Sequence, residues 1–558
     1  MEILSYSSFG YEGEIIKVEA DLRRGLPITD IVGLPGSAVK EARERVRAAI
    51  RNCGLDFPQG RILINLSPAD QKKEGSAFDL PIAIAILTAK ENKETEEKTP
   101  ESDASCLESK TLREESIMVM GELELSGILR PVRGVLGAVS SGLHSGIRYF
   151  IVPKENESEA AILENTNVFG ASNLIEALET FCRIQNKCRT SPTKDALPVP
   201  HNTSVHIPEF KWSDDFIETE TSFRKGEYGF EDIRGQDALI RALEIAAAGA
   251  HNLIAYGPPG CGKTLSLMRF GFLLPDMDTE TALETTRIYS TAGLLPVRHG
   301  KNVLLRRPPF RMPHQNASME GIIGGAGKCL PGEVSLAHGG TLFLDEATQF
   351  KGNVLQTLRA PLETGCVTLS RAGKSSTFPA RFQLLLAINP CPCGNLGAEG
   401  KICTCLPMEI EKYWKKLTAP LLDRLDIRIP VFPPEPKSLL KPVKYSTGKM
   451  RAVIKNAKII QFERMQKIRS DKIMHNKNYE NAKLLPHDIP AVCVMTEDAA
   501  KTFAAFAESK KLSGRGGHAI LKISRTIADM ESSEKIRLSH IEEAVSLRRW
   551  TNYLPDFL

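Results

Sequence analysis

"HNLIAYGPPGCGKTLSLMRFGFLL", residues 251–274, decides the fold. An apolar run ending at Tyr256 leads into a glycine-rich turn, and a stretch with helical apolar spacing follows. The turn fits G-x-x-x-x-G-K-[ST] over Gly257, Pro258, Pro259, Gly260, Cys261, Gly262, Lys263 and Thr264. In such a turn the backbone N–H groups point at phosphate oxygens, and the next helix adds the positive end of its dipole. Gly260 and Gly262 permit the tight bend. Lys263 is expected to reach the β- and γ-phosphates of ATP and the Thr264 hydroxyl to ligate Mg²⁺. A strand before the turn and a helix after it are the context that separates this motif from a chance glycine-rich bend.

A second element, "GTLFLDE" (340–346), carries two carboxylates to the end of an apolar strand. Asp345 is placed to hold the Mg²⁺ shell and Glu346 to polarise an attacking water, so the pair predicts hydrolysis rather than nucleotide storage. With "RFQLLLAIN" (381–389), three apolar strands alternate with helical stretches, the pattern of a mostly parallel sheet covered by helices.

The totals bound the rest. A chain of 558 residues should hold three to four domains of roughly 150 residues each. Its 72 basic and 68 acidic side chains leave a net charge of +4, too little to signal a polyanion partner by bulk charge. The N-terminus lacks a basic segment followed by an apolar one, and no apolar run is long enough for a bilayer, so a cytoplasmic protein without membrane contact is expected.

Two composition breaks divide the chain. Residues 90–116 are charged and nearly free of large apolar side chains, which predicts a disordered insertion. Residues 185–226 open on a proline-interrupted stretch without periodicity and read as a linker. The expected organisation is an α/β domain over 1–184, an ATPase core over 227–436 and a small helical lid over 437–558. In the first domain, "SAVKEARERVRAAIRNCG" predicts a helix ending at Gly54; in the last, Ser539 and Glu542 match a capping box.

At these residues the chain resembles the AAA+ ATPases. "FEDIRGQDALIRALEIAAAGAHNLIAYGPPGCGKT" (230–264) carries their approach helix and phosphate loop. The resemblance places Asn389 as the polar sensor of the γ-phosphate, Arg424 in "PLLDRLD" as a finger inserted into a neighbour's site, and Arg525 in "LKISRTIADM" as a second sensor from the lid. Chemistry favours such a division, because an anionic phosphoryl-transfer transition state needs cations beyond the single lysine of one loop. A finger given in trans implies a ring, most simply a hexamer.

Longer collinear stretches, "FRMPHQNASMEGIIGGAGKCLPGEVSLAHGG" (310–340) and "GLPITDIVGLPGSAVKEARERVRAAI" (25–50), resemble the magnesium-chelatase-like YifB/ComM group. "PHQ" stands where that group has a paired histidine, "DEATQF" where "DELPEF" is expected, and "GRGGH" where a less glycine-rich run precedes the lid helix. The resemblance also implies a hairpin before the sensor strand, fitted by "VTLSRAGKSSTF" (367–378), with Arg371 and Lys374 near the tip as candidate DNA contacts. A solvated hairpin with ordinary surface charges is the alternative.

"SPADQKKEGSAFDLPIAIAIL" (67–87) and the stretch from 119 to 156 resemble the proteolytic domain of Lon. The Lon serine falls on Ala77 and its lysine base on Ala138, while Ser76 is offset by one residue. Neither alanine can ionise, so the domain is read as a Lon-like fold without peptidase chemistry, serving substrate binding or ring assembly.

"AINPCPCGNLGAEGKICTC" (387–405) sets Cys391, Cys393, Cys403 and Cys405 in a C-x-C-x9-C-x-C array. In a reducing compartment four clustered thiols suit tetrahedral zinc, with an iron–sulfur centre or unmetallated thiols as the alternatives. A metal there would tie down the loop between Asn389 and Arg424 and stiffen the path from nucleotide to neighbour. The family resemblance implies a DNA-remodelling motor that acts on branched or single-stranded DNA by branch migration or helicase action. A magnesium-chelatase motor subunit and a protein-remodelling or transcriptional regulatory ATPase are the competing readings.

Overall fold

The computed structural model describes residues 2–548 with the exception of 70–71, 97–115, 191–209, 213–228, 296–303, 326–328, 372–373, 399, 441, 443, 469–478 and 510–511. The expected insertion at 90–116 and the linker at 185–226 thus lie for the most part outside the described residues.

The N-terminal region is built on a seven-stranded mixed sheet. Its strands are β1 (Ile3–Phe9), β2 (Glu12–Arg23), β3 (Thr29–Val32), β4 (Arg61–Ser67), β5 (Ile117–Val119), β8 (Tyr149–Pro153) and β9 (Asn167–Ala171), in the order β3-β4-β2-β1-β5-β8-β9. Between β5 and β8, β6 (Glu122–Leu123) and β7 (Leu129–Arg130) form a small separate hairpin. The expected helix runs Ser37–Asn52. Gly54, at φ 75°, takes the left-handed position that ends it, and the Leu55 N–H reaches back to the Ile50 carbonyl at 3.1 Å. Ala138 is buried in an apolar cluster with Val135 and Val139, and Ala77 packs against that cluster, so both positions matched to the Lon serine and lysine serve as packing groups. The Ser76 hydroxyl points elsewhere and donates to the Glu122 carboxylate.

The second region holds a five-stranded, wholly parallel sheet ordered β11-β14-β17-β10-β18. Its members are β10 (Leu253–Tyr256), β11 (Phe310–Arg311), β14 (Thr341–Leu344), β17 (Gln383–Ile388) and β18 (Ile427–Pro430). β12 (Gly324–Gly325) pairs with β13 (Leu330–Pro331), and β15 (Cys366–Arg371) with β16 (Lys374–Pro379), as hairpins off the sheet. All four residues of β10 are buried, because both faces of the sheet are covered. Leu253 and Ala255 pack with the helix Asp237–Gly249 and the C-terminal helices, whereas Ile254 and Tyr256 pack toward Trp414 on the opposite face.

Beyond β18 every described regular element is helical, from Pro436–Leu439 to Leu538–Ser546. The capping box expected at Ser539 is corrected here. The helix begins at Leu538 with Arg537 as its N-cap, and the Arg537 N–H donates to Nδ1 of the buried His540 at 3.0 Å. The buried imidazole takes the part expected of Glu542, and its other ring nitrogen is held by Glu531 at 3.0 Å. Among the described residues no helix is long and apolar enough to cross a membrane.

Candidate active site

Parallel strands end at one edge of their sheet, and ligands of such sheets sit beyond the carboxyl ends. β10 runs into the phosphate loop, β14 into Asp345 and β17 into Asn389. Their registers, Tyr256 beside Ile388 and Leu344 beside Leu386, bring the three motifs to the same edge. They line a cavity of about 350 Å³ with Pro259, Gly260, Gly262, Lys263, Thr264, Asp345, Glu346 and Asn389 on its wall. Gly260 and Gly262 sit at φ 80° and 85°, a region costly to any side chain. Gly257 passes so close to the Val431 backbone that a Cβ would collide with its carbonyl.

Lys263 is buried, and its Nζ donates to the carbonyls of Gly257 at 2.6 Å and Pro258 at 2.8 Å and to Asn389 Oδ1 at 3.3 Å. Burial pushes its pKa down, against the pull of the Cys261 thiol and the carboxylates nearby. Thr264 Oγ1 donates to the Asp345 carboxylate at 3.1 and 3.2 Å, and burial raises the Asp345 pKa. A hydroxyl and a carboxylate oxygen converging this closely are hard donors of the kind Mg²⁺ prefers, so the residues fit that ion.

Glu346 has φ 46°, an uncommon value for a residue with a Cβ, and its N–H donates to Asp345 Oδ1 at 3.0 Å. Its carboxylate accepts from Gln315, whose Nε2 donates to Oε2 at 2.8 Å. Gln315 was not among the expected site residues. Its only trace in the sequence was "PHQ", one of the departures from the family pattern.

Arg424 and Arg525 are both absent from the cavity wall. Arg424, 11% exposed, donates to the Pro420 carbonyl and, at 2.7 Å, to Glu363. Arg515 reaches the same Glu363 at 2.9 Å, and the two guanidiniums hold that carboxyl below its usual range. Arg515 stands in the first turn of the helix Gly514–Met530, whose N-terminus is fixed by the Ser513 hydroxyl accepting from the Gly516 N–H at 3.1 Å.

Arg525, the expected second sensor, lies deep in the lid, 1% exposed, donating to Asp529 at 3.0 Å and to the carbonyls of Glu534 and Ser533. Asp529 also binds Arg464 at 2.6 and 2.8 Å. A guanidinium committed to a buried carboxylate and two carbonyls is a structural cation of the lid, and withdrawing it would strand Asp529 without one of its charges.

The four cysteine sulfurs lie within 4.8 Å of one another. Cys391 and Cys393 are 3.3 Å apart, Cys391 and Cys403 3.6 Å, and Cys393 and Cys403 3.7 Å. Four Zn–S bonds of ~2.3 Å would set tetrahedral sulfurs about 3.8 Å apart, so the set fits zinc. The Asn395 N–H draws the Cys393 thiol down to about 6, whereas burial lifts Cys391 to about 12. The loop also touches the phosphate site. Gly394 turns at φ 79° against Pro259, where a Cβ would come within 2.7 Å of the proline Cδ.

Three family models match successive parts of the chain. The model described as magnesium chelatase, subunit ChlI, matches residues 229–439; that for subunit ChlI of Mg-chelatase matches 18–156; and the ChlI C-terminal model matches 444–548. An uncharacterized protein YifB of Escherichia coli is 37% identical over 542 residues, covering 97% of this chain and 96% of its own. Competence protein ComM of Haemophilus influenzae is 35% identical over 555 residues, 99% of this chain and 98% of its own. A Lon protease of Helicobacter pylori is 27% identical over 184 residues, 30% of this chain and 22% of its own.

Proposed function

This chain belongs to the magnesium-chelatase-like YifB/ComM family of AAA+ type, and from that premise we propose that it is a ring-forming, Mg²⁺-dependent ATPase that remodels DNA. The observation that carries the motor half is the convergence of Lys263, Thr264, Asp345, Glu346 and Asn389 on one cavity while Arg424 stays outside it. In this reading the loop amides and Lys263 bind the triphosphate, with Lys263 exchanging its loop carbonyls for phosphate oxygens. Thr264 and Asp345 hold Mg²⁺, which neutralises phosphate charge when bound. Glu346 takes a proton from the attacking water, and Asn389 orients that water or the γ-phosphate.

Arg424 supplies positive charge to the next protomer's site. Arg515 is better placed than Arg525 to act with it, since both Arg424 and Arg515 fork on Glu363. A hexamer is the ring we favour.

Likeness to a competence protein over nearly the whole chain supports DNA as the substrate, with branch migration or helicase action as the finer reading. Arg371 and Lys374 are the candidate contacts. ATPase rate with and without forked or four-way DNA tests this, with stimulation by DNA expected. The three chelatase family models favour a second reading, a motor for metal insertion into a porphyrin. Stimulation by protoporphyrin and indifference to DNA would replace the first reading by the second.

The cysteine cluster is proposed as a structural zinc site. Purified protein should carry about one zinc per chain, and a Cys403→Ser, Cys405→Ser variant should carry none. The variant should also bind nucleotide more weakly, because the loop abuts Pro259. Metal-free parent protein would refute the assignment.

A further inference from the structure

Among the described residues the N-terminal region meets the ATPase core at two places. One is the helix Thr279–Ala292, where Ser290 donates its hydroxyl to the buried Glu159 and its carbonyl accepts from the Gly134 N–H at 3.3 Å. Glu159 also accepts from the Leu136 N–H at 2.9 Å and from Asn156 at 3.0 Å, so the carboxylate is fully engaged at the junction.

The other place is the β15–β16 hairpin. Alternation along its arms puts Val367, Leu369, Ser376 and Phe378 on a buried face and leaves Thr368, Ser370, Ser375 and Thr377 exposed. The closing pair Arg371↔Lys374 belongs to the register row of the buried face. That face is met by the turn between β1 and β2. The Tyr11 N–H donates to Ser376 Oγ at 2.8 Å, the Tyr11 ring lies edge-on to Phe378 at 5.8 Å, and Lys374 Nζ stands 5.4 Å from the centre of the Phe9 ring. Gly10 is pressed onto Ser376 so closely that a Cβ would collide with it. Arg287, on the helix that carries the first junction, lies 4.4 Å over the Tyr11 ring. One aromatic residue of the N-terminal region therefore spans the hairpin and the helix.

We propose that the β1–β2 turn, through Phe9, Gly10 and Tyr11, is a clasp by which the Lon-like domain positions the β15–β16 hairpin relative to the ATPase core. The clasp gives that domain a role that needs no peptidase chemistry. Its functional half rests on the proposed DNA substrate: the hairpin engages a polyanion productively only when held on its apolar face, with its polar face and Arg371 left open. Tyr11 is a positioning residue and touches no nucleotide.

The test is Tyr11→Ala in the full chain, which removes the ring and leaves the backbone donor, with Tyr11→Phe as the control that keeps both. Hydrogen exchange should quicken about tenfold across 366–379 in Tyr11→Ala while β10 and β17 keep their protection. DNA-stimulated turnover should fall with basal ATPase retained, and Tyr11→Phe should behave as the parent. Unchanged hairpin exchange in Tyr11→Ala would overturn the clasp. Faster exchange with undiminished DNA stimulation would overturn its functional half. A parent enzyme indifferent to DNA would instead count against the substrate reading, and the exchange result would still decide the clasp.

Discussion

Replacing Glu346 by Gln is expected to slow ATP turnover about 10²- to 10⁴-fold while nucleotide affinity stays within about threefold of the parent. The carboxylate stands on the cavity wall outside the metal-binding pair: Asp345 is committed to Thr264, whereas Glu346 accepts from Gln315. An amide is of the same size and leaves the loop, Lys263 and Asp345 undisturbed, so binding should survive. It cannot accept a proton. A fall of that size corresponds to about 3–5 kcal/mol of barrier. Phosphate release at saturating ATP, beside titration with a fluorescent nucleotide, separates the two quantities. Parent-like turnover would remove Glu346 from the mechanism. A joint loss of binding and turnover would mean that the turn at Glu346 had collapsed.

The residues of this prediction were legible because each motif is contiguous and rides on its own strand. Periodicity located the strands, and a parallel sheet then forces their carboxyl ends together. Gln315 belongs to no strand of that set and reaches Glu346 across 31 positions of sequence, which no local pattern encodes. Arg515 and Arg525 illustrate a different limit. Both lie on the helix Gly514–Met530, about 15 Å apart along its axis and on different faces. Arg525 lies in the half of the helix from Ala519 to Met530 that is covered nearly all round, whereas Arg515 stands at the open first turn. A motif match selects the helix, but which part of it the rest of the lid covers decides which arginine is left open. The cysteine array was legible as a cluster by spacing alone, yet its contact with Pro259 depends on a left-handed turn at Gly394 that spacing does not reveal.

That reasoning bears most heavily on Arg424. Its replacement by Ala should cost about 10³-fold or more in turnover, the scale of an arginine finger. Nucleotide affinity of the isolated protomer should not change, since Arg424 lines no part of that protomer's cavity. Such a loss alone does not establish action across an interface, because Arg424 also holds Glu363 and could act by steadying the surface around it. Mixing decides the point. Arg424→Ala protomers keep Glu346 and lack the finger, whereas Glu346→Gln protomers keep the finger and lack the base. In a closed ring each interface pairs one protomer's loop with its neighbour's finger. When the two inactive variants assemble at random in equal amounts, about one site in four joins an intact Glu346 to an intact Arg424, so turnover should return to about a quarter of the parent rate. An arginine serving its own protomer would give no recovery at any ratio, because no chain in the mixture would own a complete site.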